Sequence, residues 1–186
     1  MDGDVLDQIA DSGSPQGLLA VVNVHDSELT SIAKCRRIVV IDMVQDPGNV
    51  GAIVRTAVAA GFEAVVTSAG TADLLSPRSI RASAGTIFGV QSARNVDLSS
   101  VLDSLLAEGH FVVAANSSGE KDFRSLEVTD QMTLILGSEA HGVSDPVLKR
   151  ASALVSIPMG PHVESLNVAV AGGLVMYGMQ ALENDH

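Results

Sequence analysis

Aromatic residues and cysteines are scarce in this sequence of 186 residues. Phe, Trp and Tyr together make up 3% of the chain, Trp is absent, and Cys35 is the single cysteine. The shortage of aromatic side chains disfavours the stacking platforms on which many proteins bind single-stranded RNA. One cysteine excludes an internal disulfide framework and any metal site built from several cysteines.

Positive charge is also scarce. The chain has 11 Lys and Arg residues against 22 Asp and Glu residues, so its formal net charge is -11 at pH 7. Because neutralisation of phosphates requires Lys and Arg side chains, this balance argues against broad, non-specific adhesion to nucleic acid. It leaves room for a local basic site, since the first half of the chain contains Arg36, Arg37, Arg55, Arg78, Arg81 and Arg94.

Targeting signals and metal-ligand spacings are absent from the sequence as well. Residues 1–11 carry acidic side chains where a secretory signal would carry basic ones. The apolar run of the last predicted helix is interrupted by glycine and is shorter than a membrane span. The five histidines are scattered without an H-x-x-x-H pair. We therefore predict a cytoplasmic protein that binds neither membrane nor metal.

Short apolar runs alternate with segments of helical spacing, in a chain that is 46% hydrophobic and long enough for one sizeable domain. The predicted strands are Gly17–Val22, Ile38–Ile41, Ala64–Val66, Phe111–Ala115, Leu134–Leu136 and Ala153–Val155. The predicted helices are Val50–Ala60, Pro77 to Gly85, Leu98–Glu108, Ser144–Arg150 and Leu166–Leu182. This alternation predicts an α/β fold with a mostly parallel sheet flanked by helices.

Three polar stretches follow predicted strands, where open α/β sheets bind their ligands. They are Asn49–Arg55, Gly137–Gly142 and Val155–Ala169, the last with Ser165 and Asn167 before its helix. Each also has a purely structural interpretation: an amide cap plus a surface arginine, a simple turn, and a core helix capped by Ser165 or Asn167. Neither a phosphate loop nor a G-x-G-x-x-G fingerprint occurs, which disfavours a dinucleotide-dependent oxidoreductase.

Taken together, the three stretches resemble the three motifs of the SpoU (TrmH-like) branch of the SPOUT methyltransferases. The matching residues are Asp46-Pro47-x-Asn49-x-Gly51-x-Ile53-x-Arg55, then Leu136-Gly137-Ser138-Glu139-x-x-Gly142, then Ile157-Pro158-Met159 with Ser165-Leu166-Asn167-Val168. The resemblance implies a C-terminal trefoil knot, a homodimer, and S-adenosylmethionine bound in the knot. It implies methyl transfer to a ribose 2′-hydroxyl of RNA, with rRNA favoured over tRNA. The apolar last helix independently favours a dimer.

Carried over position by position, the resemblance also implies roles for individual residues. The implied cofactor-binding residues are Leu136, Gly137, Gly142, Ile157, Met159 and Leu166. The implied catalytic residues are Arg55, Asn49, Glu139, Ser165 and Asn167. Because an arginine stays protonated, we expect Arg55 to stabilise the developing alkoxide or to orient the ribose and phosphate rather than to remove a proton.

The resemblance divides the chain into two parts. Residues 36–186 are expected to form the SPOUT catalytic domain, and residues 1–35 a tail with a candidate remnant of the L30e-like substrate-binding domain that many relatives carry. One motif position departs from the family, since Ala140 replaces the usual glycine. The alternative hypothesis is a catalytically silent, knotted module for dimerisation or cofactor binding, which the presence of the polar site residues disfavours.

Overall fold

A computed structural model describes residues 18–116, 119 and 121–184 of the chain. In this part, seven strands form one sheet in the order β3-β2-β1-β6-β4-β7-β5, and every neighbouring pair is parallel. The strands are β1 (Arg37–Asp42), β2 (Ala64–Ser68), β3 (Gln91–Val96), β4 (Phe111–Ala115), β5 (Lys121–Asp122), β6 (Met132–Gly137) and β7 (Ala153–Ser156). The predicted α/β class with a mostly parallel sheet is confirmed.

Helices cover both faces of the sheet. They are α1 (Leu29–Ile32), α2 (Pro47–Ala59), α3 (Pro77–Ala82), α4 (Leu98–Ala107), α5 (Asp145–Leu148) and α6 (Val168–Asn184), with short 3₁₀ turns at Thr86–Phe88 and Phe123–Ser125. One hydrophobic cluster joins α2, α3 and α6 to one face, and a second joins α1, α4 and α5 to the other. Every residue of β1 and β6 is buried, as expected for central strands of a parallel sheet.

The helix starts follow ordinary capping chemistry. Ser76 caps α3 as the sequence predicts, with its hydroxyl accepting a hydrogen bond from the Ser79 N–H. The cap of α2 is Asp46, whose carboxylate accepts from the Asn49 N–H, so Asn49 does not act as an amide cap. At α6 the side-chain oxygen of Asn167 accepts from two N–H groups of the first turn. Asn167 rather than Ser165 is therefore the cap.

One predicted strand is wrong and two strands were not predicted. Residues 18–22 of the predicted strand Gly17–Val22 are exposed and belong to neither helix nor strand, because no neighbouring strand in the described part pairs with them. Gly17 lies outside the described residues. β3 escaped prediction because its polar sequence QSARNV lacks an apolar run, and β5 has only two residues.

Neither a membrane-spanning helix nor a cluster of metal ligands occurs among the described residues. None of the helices in this part has the length and apolar character needed to cross a bilayer. No group of three or more His, Cys, Asp or Glu residues in the same part is arranged to hold a metal ion.

Candidate active site

A cavity of about 350 Å³, called here the first cavity, opens where β4, β6 and β7 end. It lies within the size range of small-molecule sites. All six residues predicted to bind the cofactor line it, as do Glu139 and Ser165 of the predicted catalytic set. The lining is Ala115, Asn116, Leu136, Gly137, Ser138, Glu139, Ala140, His141, Gly142, Val155, Ile157, Met159, Ser165, Leu166, Val168 and Ala171.

The loop between β6 and α5 (residues 138–144, the β6–α5 loop) forms one wall of the first cavity. Its tight turn is closed by two backbone hydrogen bonds between Ser138 and Gly142, with N···O distances of 3.0 and 2.8 Å. The turn folds back so closely that a Cβ atom on Gly137 would lie 2.2 Å from the Gly142 carbonyl carbon. A side chain at position 137 would therefore force the wall apart.

A chain of side-chain hydrogen bonds connects the first cavity to α2. The Asn49 amide donates to the Glu139 carboxylate. The Asn167 amide in turn donates to the Asn49 side-chain oxygen at 2.9 Å. The side-chain oxygen of Asn167 caps α6. These hydrogen bonds therefore connect the three polar stretches of the sequence. Asn49 and Asn167 do not themselves line the first cavity.

Arg55 lies on α2 beyond Asn49 and outside the cavity lining. Its side chain is exposed, and within the described residues it forms no hydrogen bond or ion pair. Several other arginines are held by a carboxylate, as Arg78 is by Asp46 at 3.0 Å. The guanidinium of Arg55 is thus available to an anionic ligand.

The helices α2 and α3 pack closely together at Gly51. The sequence predicts that Gly51 allows a close approach at the start of α2. In the structure, a Cβ atom at this position would lie 2.3 Å from the Ser79 carbonyl oxygen of α3. The absence of a side chain at Gly51 therefore lets α3 pack directly against the helix that carries Asn49 and Arg55.

Asn116 is a polar residue of the first cavity that was not predicted from the sequence, whereas Ser138 and His141 lie in the predicted stretch Gly137–Gly142 without a role of their own. Asn116 directly follows β4, so its place at the carboxyl end of a strand was a usable signal. The imidazole of His141 makes no hydrogen bond within the described residues, although its backbone N–H donates to the Ser138 hydroxyl at 3.1 Å.

A second cavity, also of about 350 Å³, opens on the other face of the sheet where β1, β2 and β3 end. Several of its polar side chains are used within the protein. Asp42 accepts from the Ser144 N–H at 2.9 Å, and Ser68 accepts from the Met43 N–H at 2.9 Å. Hydrogen bonds from the Ser100 hydroxyl, and then from backbone N–H groups, hold the pKa of Asp97 below its usual range. The first cavity is therefore the better candidate for a ligand site.

The model of the SpoU rRNA Methylase family matches residues 36–177. The 23S rRNA (guanosine(2553)-2′-O)-methyltransferase RlmP of Bacillus subtilis is 33% identical over 177 residues, which cover 95% of this chain and 70% of that protein.

Solved structures give the same result. An rRNA methyltransferase from Sinorhizobium meliloti is similar with a TM-score of 0.90 at 30% identity, covering 97% of this chain and 70% of that one. The SpoU methyltransferase AviRb from Streptomyces viridochromogenes, in complex with AdoMet, has a TM-score of 0.81 at 27% identity. The match covers 87% of this chain and 67% of that one. Motifs, fold and relatives agree, and the chain belongs to the SpoU rRNA methylase family of RNA methyltransferases.

Proposed function

We propose that this chain transfers a methyl group from S-adenosylmethionine to a ribose 2′-hydroxyl of RNA. The observation that carries the proposal is the series of side-chain hydrogen bonds from Asn167 through Asn49 to Glu139, which links the first cavity to the helix bearing Arg55. Ribosomal RNA is favoured over transfer RNA, because the matching family model and RlmP are both named for rRNA. The reaction would take place in the cytoplasm.

The donor set of the first cavity suits S-adenosylmethionine. Apolar walls from residues such as Leu136, Ile157 and Leu166 would bury the flat adenine, while backbone groups of the β6–α5 loop offer hydrogen bonds. Glu139 places a carboxylate in a lining that contains no Lys or Arg among the described residues. This charge balance favours a ligand with a sulfonium and an ammonium group. When bound, the cofactor supplies an electrophilic methyl group.

The chain's own residues would then position the acceptor. Methyl transfer is an in-line displacement, so the 2′-oxygen must be held close to the methyl group and aligned with it. Arg55 stays protonated and so does not take the hydroxyl proton. Its guanidinium, which has no partner among the described residues, instead binds an RNA phosphate or the developing alkoxide. Asn49 and Asn167 hold Glu139 in place at the edge of the first cavity.

The trefoil knot of the family belongs to the same proposal. After β7, which lies beyond β4 in the sheet, the chain returns past the β6–α5 loop to pack α6 against α2 and β6. The contact is close, because a Cβ atom on Gly172 would lie 2.6 Å from a Leu136 methyl group. Residues 157–171 and residues 136–142 line the same cavity, which supports a threaded arrangement of these segments.

A homodimer is the further element of the proposal. α6 exposes Val170, Leu174 and Tyr177, which follow the i, i+4, i+7 spacing of one helix face and are each about half exposed. A second copy of the chain would cover this stripe.

Leu174→Glu should convert the dimer to a monomer in light scattering at micromolar concentration. Leu106→Glu, on the opposite face of the molecule, should leave it a dimer, and a monomeric wild type would refute the proposal.

The domain division is proposed on two observations. The family match begins at residue 36, where the sequence analysis places the start of the catalytic domain. Residues 18–28 lie outside helices and strands, and Ser27 contacts the sheet at its β3 edge, where its N–H donates to the Ser92 carbonyl oxygen at 2.7 Å. Residues 1–17 lie outside the described part.

The reaction can be tested by the chemistry of its product. The chain is incubated with methyl-labelled S-adenosylmethionine and either rRNA or tRNA, and the RNA is then hydrolysed in alkali. Alkaline cleavage requires a free 2′-hydroxyl, so a 2′-O-methyl group leaves the label in an uncleaved dinucleotide. We expect such a dinucleotide from rRNA. Label in base-methylated mononucleotides, or S-adenosylmethionine that fails to bind at all, would overturn the proposal.

A further inference from the structure

We infer that Asp42 is a positioning residue for the cofactor, because it holds both ends of the loop that forms a wall of the first cavity. Asp42 is the last residue of β1, and its backbone pairs in register with Gly137 at the start of the loop. Its carboxylate accepts the Ser144 N–H, 2.9 Å away, at the end of the loop. The inference rests on the proposed cofactor site and adds a residue outside the three motifs.

The β6–α5 loop needs such an anchor because its internal bonds do not fix its direction. The hydrogen bonds between Ser138 and Gly142 close the turn upon itself. They leave the turn free to tilt as a unit about the points where it leaves and rejoins the fold. At the end of the loop, Val143 is fixed by burial in the second hydrophobic cluster, which also holds α1, α4 and α5. Ser144, the next residue, is fixed by its hydrogen bond to the carboxylate of Asp42.

The chemistry of Asp42 also fits this role. The residue is 2% exposed and forms no ion pair in the described part of the chain. A buried carboxylate is costly unless hydrogen bonds compensate it, and the Ser144 N–H is one such bond. Asparagine has the same shape and keeps an acceptor oxygen for this N–H, whereas alanine removes the anchor. The second cavity next to Asp42 and Ser144 leaves space for either side chain.

The inference predicts a separation of cofactor affinity from catalysis. Asp42→Ala should raise the Kd of S-adenosylmethionine, measured by calorimetry, by ~10-fold or more, as expected when a part-buried N–H loses its partner and the loop loses its anchor. Asp42→Asn should stay within about 3-fold of wild type. At saturating cofactor, kcat of Asp42→Ala should remain within about 3-fold of wild type, because the Asn49 amide still holds Glu139 by its own hydrogen bond and Arg55 lies outside the loop.

A matched control excludes a general loss of stability. Asp97→Ala removes a carboxylate that accepts three hydrogen bonds at the start of α4, close to the second cavity. It should lower the melting temperature and leave the Kd of S-adenosylmethionine unchanged. If Asp97→Ala weakens binding as much as Asp42→Ala does, or if Asp42→Ala binds like wild type, the inference is wrong.

Hydrogen exchange gives a readout that needs no cofactor. In Asp42→Ala the amide protons of residues 138–144 should exchange faster, while those of β1 and β6 keep their protection. If Asp42→Ala does not fold, Asp42→Ser should give the same result, because its shorter side chain does not reach Ser144. Unchanged exchange in this loop refutes the anchor even if wild type binds no S-adenosylmethionine, which would refute only the proposed function.

Discussion

The wall of the first cavity and the polar face of α2 are built differently. The wall consists mainly of backbone and aliphatic side chains at and just beyond the carboxyl ends of three strands, where sheet register sets Ala115 beside Val155. On α2, Asn49 is held only by bonds to other side chains, and Arg55 is held by none within the described residues. Cofactor affinity should therefore depend on the shape of the wall, and methyl transfer on a few polar groups.

This difference means that binding and transfer can be broken separately. The largest effect is expected at the wall. Leu166→Arg places a charged side chain into the apolar part of the first cavity and should abolish S-adenosylmethionine binding in calorimetry, a loss of ~100-fold or more. Ala69→Arg places the same side chain at the second cavity and should bind like wild type. Wild-type affinity in Leu166→Arg would mean that the cofactor site is not the first cavity, and loss of binding in Ala69→Arg would mean that the effect is not specific to that cavity.

A smaller effect is expected at Asn49, the residue of α2 whose side chain contacts Glu139 of the first cavity. Asn49→Ala removes the donor to Glu139 and the acceptor for Asn167, and it should lower kcat by ~10-fold. Asn49→Asp should be worse, because it sets a second carboxylate against Glu139. Single-turnover methylation measures both variants. Equal rates for Asn49→Asp and wild type would show that this bond does not hold the site together.

The smallest effect on function is expected far from both regions, at His110. Its ring nitrogens lie 3.2 Å from the Ala33 carbonyl oxygen and 3.0 Å from the Thr133 hydroxyl. Burial lowers the pKa of His110 in the folded state, so the unfolded chain binds a proton more readily. The stability that neutral His110 contributes is thus present above about pH 6.5 and is lost as the pH falls below it.

His110→Gln should accordingly flatten the fall in melting temperature between pH 6.5 and pH 5, while cofactor affinity at pH 7.5 stays as in wild type. If the melting temperature of the variant falls between pH 6.5 and pH 5 as steeply as that of wild type, other groups control stability in acid. A changed affinity would mean that this buried residue is coupled to the first cavity.

The same contrast explains what could be predicted from the sequence. Apolar runs such as Ile38–Ile41 predict central strands, because burial on both faces leaves no polar positions. Edge strands such as β3 and β5 need few apolar residues and so carry no comparable pattern. Residues 18–22 show the converse error, since an apolar run without a neighbouring strand in the described part forms no sheet.

The six residues proposed to bind the cofactor were predicted from the resemblance to the family motifs. All six line one cavity because their motifs follow buried strands that end at the same edge of the sheet. The bonds that join Asn49 to Glu139 and Asn167 were not predictable, because they connect residues 90 and 118 positions apart. The anchoring bond from Asp42 to Ser144 spans 102 positions and was missed for the same reason.

The most direct test of the account is a paired measurement on Arg55→Ala. Because Arg55 lies on α2 and outside the lining of the first cavity, the Kd of S-adenosylmethionine should stay within a few-fold of wild type. Methyl transfer to RNA should fall by ~100-fold or more, the scale expected when one positioned charge stabiliser is removed. The comparison requires a form of the protein that methylates RNA as wild type. If Arg55→Ala methylates RNA at the wild-type rate there, the division between a binding wall and a catalytic helix face is wrong.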